Sequence, residues 1–248
     1  MTVKLTIIFV AVFICGGIKC DFPEDPKPCK YGDSECIGKL FDYFMKEKHE
    51  GDTNYNLESV DPLNFGIVHI SRGSDSPVNI NCEMANAVGY GIKTLRFERM
   101  KGFGKEIAGK HEISGNADYL ELKGDYNITG SVLILPIKGT GKFSIYMDKP
   151  IVRLGWTGAP YEKDGATYMK VQKFYVILEP KNMRFSFENL YNSKELSDNM
   201  NKFLTENWMD IYPEVKAPLF HDVSIVAGKI VNRLFAKYPY EKYFIDTN

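Results

Sequence analysis

Residues 218–237 read PLFHDVSIVAGKIVNRLFAK. Apolar side chains recur there at helical spacing in two adjacent rows: Leu219, Val223, Val226, Ile230 and Leu234, and beside them Phe220, Ala227, Val231 and Phe235. The spacing predicts an α-helix that begins near Pro218, because proline fits the first helical turn, and runs to Lys237. Such a helix is about 30 Å long at ~1.5 Å per residue. A stripe of this width favours a helix enclosed by sheet on more than one side.

The chain between Leu63 and Phe187 has a different period. Short segments there alternate apolar and polar residues and are separated by Gly, Pro, Asn and Asp. The predicted strands are Phe65 to Ile70, Val78 to Cys82, Thr94 to Glu98, Tyr119 to Lys123, Tyr126 to Pro136, Lys142 to Asp148, Val152 to Trp156, Tyr168 to Leu178 and Met183 to Phe187. Their close spacing predicts antiparallel meanders rather than a parallel α/β sheet.

Two further helices are predicted, one on each side of the strands. The first runs from Ser34, its predicted cap, to about Lys48, with apolar residues at helical spacing. The second follows the capping-box sequence at residues 192–195, and Pro213 and Pro218 are expected to separate it from the last helix. No stretch after about residue 60 resembles a linker, so we expect residues 21–248 to form a single domain.

The N-terminus predicts the compartment. Lys4 precedes ten residues with a single polar side chain, from Leu5 to Ile14, which is typical of a secretory signal peptide and too short to span a bilayer. Cleavage is expected after Cys20, which removes residues 1–20 and leaves a secreted, extracellular chain with no stable membrane insertion. The 31 basic and 32 acidic residues give no basic field, which argues against nucleic-acid binding.

Three cysteines are expected in the mature chain: Cys29, Cys36 and Cys82. Cys29 and Cys36 are close in sequence, and Gly32 and Asp33 supply a turn between them, so we predict a disulfide between these two. Cys82 has two readings, a buried free thiol or a reactive nucleophile, and the second needs a cationic neighbour that the sequence does not identify.

Asn127 begins the sequence Asn-Ile-Thr, the one N-glycosylation sequon of the chain. An attached sugar must face water, so alternation places Asn127, Thr129 and Ser131 outside and the residues between them inside. The same rule gives each neighbouring strand a bulky, almost uncharged inner face. The inward residues are Tyr126, Ile128, Val132, Ile134, Phe143, Ile145, Met147, Val152, Leu154, Trp156, Met183, Phe185 and Phe187.

Catalytic and metal-binding patterns are weak. The four histidines have no metal-binding spacing, and neither a nucleophile elbow nor a complete phosphate loop is present. We therefore expect no enzyme activity, no metal and no cofactor. The remaining catalytic alternative is a lipid-ester hydrolase that combines Ser131 or Ser144 with His69 or His111.

Four segments resemble the insect takeout and juvenile-hormone-binding protein family. They are the N-terminal cysteine motif KPCKYGDSECI at residues 27–37, VDPL at 60–63, the strand pair between Gly124 and Gly141, and the segment from Ala217 to Phe235. The resemblance implies an α+β fold in which a long C-terminal helix is wrapped by a strongly curved antiparallel sheet, a TULIP-like super-roll. It also implies an elongated hydrophobic tunnel that carries a lipid-like ligand.

The chain departs from the hormone carriers in one respect. It has no cysteine after Cys82 to form their second disulfide, which makes it more similar to takeout and leaves juvenile hormone in doubt as the ligand. We expect a secreted, monomeric carrier of a small hydrophobic ligand, taken up past the helix near Cys36; the alternative is a signalling factor that acts through a protein receptor. The candidate ligand-binding residues are Tyr126, Ile128, Val132, Ile134, Phe143, Ile145, Val152, Leu154, Trp156, Tyr168, Phe185, Val223, Val226 and Ile230.

Overall fold

The computed structural model describes residues 22–23, 26–73 and 75–246. The predicted signal peptide, residues 1–20, lies outside the described residues. These residues contain three α-helices: α1 (Ser34–Glu47), α2 (Lys194–Glu206) and α3 (Trp208–Phe235). The strands are β1 (Cys29–Lys30), β2 (Leu63–Ser71), β3 (Val78–Tyr90), β4 (Arg96–Lys101), β5 (Gly109–Asn116), β6 (Tyr119–Val132), β7 (Leu135–Asp148), β8 (Ile151–Lys163), β9 (Ala166–Glu179), β10 (Asn182–Phe187) and β11 (Phe244–Ile245).

The strands form two antiparallel sheets, as the alternation predicts. One has five strands in the order β10-β7-β6-β3-β2, and the other has four in the order β4-β5-β8-β9. A short parallel pair, β1 with β11, joins the two ends of the described chain. The long helix α3 packs against β9 of the four-stranded sheet and against β2, β3 and β10 of the five-stranded sheet. The family fold predicted from the sequence, a long terminal helix enclosed by antiparallel sheet, is therefore confirmed.

The start of α3 differs from the prediction. The helix begins at Trp208 rather than near Pro218 and contains Pro213 and Pro218 within its length. Each proline removes one helical hydrogen bond, but buried side chains on both sides of each, such as Tyr212 and Leu219, anchor the helix to the sheets. Tertiary packing therefore outweighs the local cost, and α3 extends over about 42 Å at ~1.5 Å per residue.

Side chains from the helices satisfy the open edges of both sheets. At β10, the N–H groups of Phe185 and Phe187 donate to α2, and at β2 the N–H of His69 donates to Asp222 in α3 at 2.9 Å. At β4, Phe97 N–H donates to Asp42 and Met100 N–H to Ser34, both in α1. At β9, the N–H groups of Val171 and Val176 donate to side chains of α3. Helices therefore continue the wall where the strand ladders end.

Helix α1 is fixed at its start by a disulfide and a cap. Cys29 and Cys36 are bonded at 2.06 Å, the pairing expected from their spacing. The N-cap is Asp33, whose carboxylate accepts from Cys36 N–H at 3.0 Å, rather than the predicted Ser34. The Ser34 hydroxyl is used instead to accept from Met100 N–H, so α1 is tied directly to the edge strand β4.

Several strands also differ from the prediction in their boundaries or in their presence. Residues 119–132 form one continuous strand, β6, which pairs along its whole length with β7. Consequently Ile134 lies in the turn after β6 and is 91% exposed, whereas alternation through Pro136 predicted that it points inward. The sequence analysis also missed β5, a strand that contains the buried residues His111 and Ile113.

Candidate ligand-binding cavity

A cavity of about 190 Å³ lies between α3 and the inner faces of the two sheets. Three walls come from α3, the five-stranded sheet and the four-stranded sheet, and α1 contributes to the end of the cavity. The lining residues are Phe41, Met45, Val60, Leu63, Phe65, Gly89, Tyr90, Ile92, Leu95, Phe97, Leu120, Glu121, Leu122, Ile145, Met147, Val152, Leu154, Phe174, Val176, Leu178, Leu219, Phe220, Val223, Ala227, Ile230 and Val231.

The chemistry of this lining is almost entirely apolar. Its one charged residue is Glu121, whose carboxylate accepts from the Ser144 hydroxyl at 2.7 Å and pairs with Lys123 at 2.9 Å. That charge is already compensated outside the cavity. The walls therefore offer dispersion contacts and burial of apolar surface, and they present no uncompensated charge to a ligand.

A second, smaller cavity of about 80 Å³ continues the first toward the C-terminal end of α3. Four residues line both: Phe41 and Met45 in α1, and Ile230 and Val231 in α3. The lining of the two cavities together extends from Leu219 to Phe235, about 24 Å along the helix at ~1.5 Å per residue. The linings of the two cavities are thus elongated parallel to α3.

The predicted ligand-binding residues divide into two groups. Five line the main cavity: Ile145, Val152, Leu154, Val223 and Ile230. The other nine line neither of these cavities: Tyr126, Ile128, Val132, Ile134, Phe143, Trp156, Tyr168, Phe185 and Val226.

The physical reason is that the inward face of one long strand borders both the cavity and the packed core. In β6, Leu120 and Leu122 face the cavity, whereas Tyr126 and the buried residues after it lie in packed core. The Tyr126 hydroxyl donates to the carbonyl of Glu188 at 2.6 Å, and burial raises its pKa to about 12. Tyr126 is therefore a core residue with its hydroxyl satisfied, and not a polar contact for a ligand.

Most residues that line the main cavity were not among the predicted ligand-binding residues. The missed residues include Phe41 and Met45 of α1 and Phe174, Val176 and Leu178 of β9. In β9 the register shifts opposite Trp156, so alternation counted from Tyr168 fails beyond that point. The helical period of α1 did carry a signal, since Phe41 and Met45 lie one turn apart on its apolar face.

Trp156 and His111 stack in the interior behind the cavity wall. Their ring centroids are 5.4 Å apart, the Trp156 ring also stacks on Phe174, and Trp156 is 2% exposed. The His111 Nδ1 accepts from Phe103 N–H at 3.3 Å and its Nε2 lies 3.2 Å from the carbonyl of Ile107, so that nitrogen donates. Burial lowers the pKa of His111. This pattern holds a neutral, structural imidazole.

The candidate catalytic groups do not come together. The Ser144 hydroxyl is bonded to Glu121, and both ring nitrogens of His111 are engaged by backbone groups. Cys82 is a buried free thiol, 1% exposed, and burial raises its pKa to about 12, which argues against the nucleophile reading. Within residues 22–23, 26–73 and 75–246, no cluster of three or more His, Cys, Asp or Glu residues could hold a metal ion.

The helices of the described chain include none that is both long enough and apolar enough to span a bilayer. Even α3, with 28 residues, carries Asp210, Glu214 and Asp222 along its length. Its buried apolar side chains, such as Ile211 and Leu219, pack against the two sheets.

Comparisons with known proteins agree with this geometry. The sequence model of the family described as "Haemolymph juvenile hormone binding protein (JHBP)" matches residues 7–245. The circadian clock-controlled protein daywake of Drosophila melanogaster is 26% identical over 229 residues, covering 90% of this chain and 88% of that protein. The daywake protein of Drosophila yakuba is 25% identical over the same length and coverage. The crystal structure of Epiphyas postvittana Takeout 1 superposes with a TM-score of 0.75 at 23% identity, covering 86% of this chain and 96% of that one, which shows a shared fold.

Proposed function

The chain belongs to the haemolymph juvenile hormone binding protein family, whose members bind small hydrophobic ligands, and from this premise we propose that it is a secreted carrier. It sequesters a lipid-like ligand, such as an isoprenoid or a fatty acid, in the cavity beside α3. The observation that supports the proposal is the cavity itself, an apolar space of about 190 Å³ whose single charged lining residue is already paired.

The proposed mechanism is reversible burial of apolar surface. A ligand that hides ~300 Å² gains several kcal/mol at roughly 25 cal/mol per Å², before the entropy of association is subtracted. The main cavity and the smaller one act together as a single tunnel along α3. The tunnel selects ligands by length and width, since its walls provide little polar recognition.

The residues proposed to contact the ligand are the five predicted ones that line the cavity, together with the wall residues found in the structure. Ala227 is central among them, because its small side chain leaves room at the middle of α3. The apolar segment Leu5 to Ile14 and the disulfide between Cys29 and Cys36 support secretion.

A cavity-filling substitution tests the proposal. Ala227→Trp places an indole in the tunnel and should weaken binding of a fluorescent long-chain fatty acid at least about tenfold, since the ligand loses its space. Ala217→Trp is the matched control, because Ala217 lies on the same helix and is exposed. Fluorescence titration measures the affinity, and thermal denaturation verifies that both variants fold.

Two outcomes are decisive. Loss of binding in Ala227→Trp with wild-type binding in Ala217→Trp supports the tunnel. Equal affinity in the wild type and in a folded Ala227→Trp would show that the fatty acid binds elsewhere, and the carrier mechanism would have to be abandoned.

A further inference from the structure

A surface groove follows the seam where the edge strand β9 meets α3. Its lining includes Val171 and Phe174 from β9 and His221, Ile225 and Lys229 from α3. Phe174 also lines the internal cavity. At this point a single side chain separates the interior of the protein from its surface.

The seam is held together by few bonds. β9 has no strand partner on this side, and its N–H groups bond to side chains of α3: Val171 to Asn232 at 2.9 Å and Val176 to Ser224 at 3.0 Å. Such bonds contribute about 1 kcal/mol each. The backbone between them can therefore move away from α3 without separating any pair of strands.

The backbone at Phe174 is irregular. Thr157 pairs with Gln172 and Gly155 pairs with Tyr175, so two residues of β9, Lys173 and Phe174, face one residue of β8. Lys173 adopts a φ of 51°, in the left-handed region. A β-bulge of this kind redirects a side chain and interrupts the ladder, and here it turns Phe174 toward the seam.

The helix surface opposite Phe174 is a glycine. A Cβ atom at Gly228 would lie 2.9 Å from the Cβ of Phe174, closer than side chains tolerate. On the α3 side, Phe174 thus rests against bare helix backbone, and on its other side its ring stacks on Trp156 with the ring centroids 5.8 Å apart. Rotation of Phe174 would connect the groove with the cavity.

The rim of the groove is positively charged, although the whole chain has a formal net charge of −1. Lys229 lines the groove, and the exposed Lys170 and Lys173 flank its β9 side. None of these lysines pairs with a carboxylate of the described residues. Unpaired cations beside an apolar opening suit an amphiphile with an anionic head group.

We propose that the groove between β9 and α3 is the uptake site for a single-chain amphiphile with a carboxylate head group, and that Phe174 is its gate. The chain passes Phe174 into the cavity while the head group stays near Lys229. The inference rests on the proposed carrier function. It differs from the expected route past α1, which is bonded to β4 through Asp42 and Ser34 and held by the disulfide.

Stopped-flow kinetics with parinaric acid, a fluorescent long-chain fatty acid, test the gate. Phe174→Ala should raise both the association and the dissociation rate constants about tenfold, because the barrier falls for both directions. Phe174→Leu keeps apolar bulk and should shift both rates less in the same direction, which guards against a misfolded alanine variant. Ile177→Ala is the control, because Ile177 is an exposed residue of β9 that lines neither the cavity nor the groove, and it should leave the association rate unchanged.

The head group is tested with the methyl ester of parinaric acid, which is neutral. Lys229→Gln should slow association of the acid about threefold and leave the ester unaffected, since it removes one steering charge. Lys216→Gln is the matched control, an exposed lysine of α3 outside the groove. An equal effect of Lys229→Gln on acid and ester would overturn the assignment of the head group.

These experiments distinguish an incorrect assignment of the gate from an incorrect carrier function. If the wild type binds parinaric acid and both Phe174 variants keep its association rate, the gate is wrong and the carrier function stands. If the wild type binds neither the acid nor the ester, the carrier function is wrong and the gate falls with it.

Discussion

Helix α3 packs against a cluster of aromatic rings at its C-terminal end, where only the smaller cavity of about 80 Å³ remains, and beside the larger cavity of about 190 Å³ in its middle. At the C-terminal end, the Phe235 ring contacts Trp156, Tyr240 and Tyr243. The tyrosine hydroxyls there are bonded to backbone: Tyr240 donates to Gly104 at 3.1 Å, and Tyr243 donates to Leu234. These large rings, two of them fixed by hydroxyl groups, leave only the smaller cavity between α3 and the sheets.

The middle of α3 carries shorter side chains, among them Val223, Ala227 and Val231, and the cavity lies beside them. An empty apolar volume of about 190 Å³ corresponds to about 4–5 kcal/mol of lost stability at ~24 cal/mol per Å³. Aromatic side chains pack closely around α3 at its C-terminal end. The larger space in the middle therefore results from the shorter side chains there.

The largest effect is expected from matched truncations in the two regions. Phe235→Ala should lower the free energy of unfolding by about 3–5 kcal/mol, because it opens a void in dense packing. Val223→Ala, on the cavity wall, should lower it by only about 1 kcal/mol, since the side chain is half-buried and already faces a void. Urea denaturation of both variants measures the difference. Equal losses would mean that the two regions are packed alike.

The disulfide offers a second way to separate the regions, since it lies at the packed end. Replacing Cys29 and Cys36 by serine should lower the free energy of unfolding by about 2.5 kcal/mol, the chain entropy of a loop this short. Affinity for a long-chain ligand should change by less than about threefold, because Cys29 contacts only the smaller cavity and the main cavity is formed by other residues. Denaturation and titration of the same preparation test both parts. A large fall in affinity would show that the disulfide also shapes the tunnel.

A smaller effect is expected at His111, which lies between the two regions and stacks on Trp156. Burial lowers the pKa of His111 below its ordinary value of 6.5, so the unfolded chain binds the extra proton as the pH falls. Its contribution to stability is therefore complete above pH 6.5 and decreases below it, by at most about 1.4 kcal/mol per pH unit.

His111→Gln should consequently flatten the fall in stability between pH 6.5 and 5, measured by denaturation at a series of pH values. Ile113→Val supplies the control, because it disturbs the core side of the same strand without removing an ionisable group and should leave the slope as in the wild type. A slope that is the same in all three proteins would contradict the role given to His111.

The smallest effect is expected outside both regions. Asn127 is exposed on β6, on the outer face of the five-stranded sheet. We predict that Asn127 is glycosylated in a eukaryotic secretion host and that Asn127→Gln removes the glycan mass without changing ligand affinity. Intact mass spectrometry and titration test this. A wild-type mass without a glycan would refute the prediction.

The sequence predicted the layers of the fold better than their boundaries. Alternation correctly separated the exposed Asn127 and Thr129 from the buried Ile128 and Val132, because a period of two survives as long as a strand is regular. It failed at Ile134, where the chain turns. The predicted start of α3 was wrong for a related reason. Local propensity ends a helix at proline, but it does not include the packing that continues α3 through Pro213 and Pro218.

The cavity was less predictable than the fold. Alternation identifies an inward residue but not whether that residue meets another side chain or empty space. Leu122 and Tyr126 both face inward from β6, and only Leu122 meets the cavity. The difference depends on side chains that are distant in sequence, and the bulge at Lys173 moves Phe174 out of the expected register. Neither is encoded in the period of a single strand.

Native mass spectrometry of glycan-trimmed protein from a eukaryotic secretion host tests the central claim most directly. We expect a stoichiometric adduct of lipid-like mass, which solvent extraction releases so that it can be identified. A clean apo mass, with no uptake of long-chain isoprenoids or fatty acids, would contradict it. The interior beside α3 would then be imperfectly packed core, and recognition of a protein receptor would become the better explanation of what this chain does.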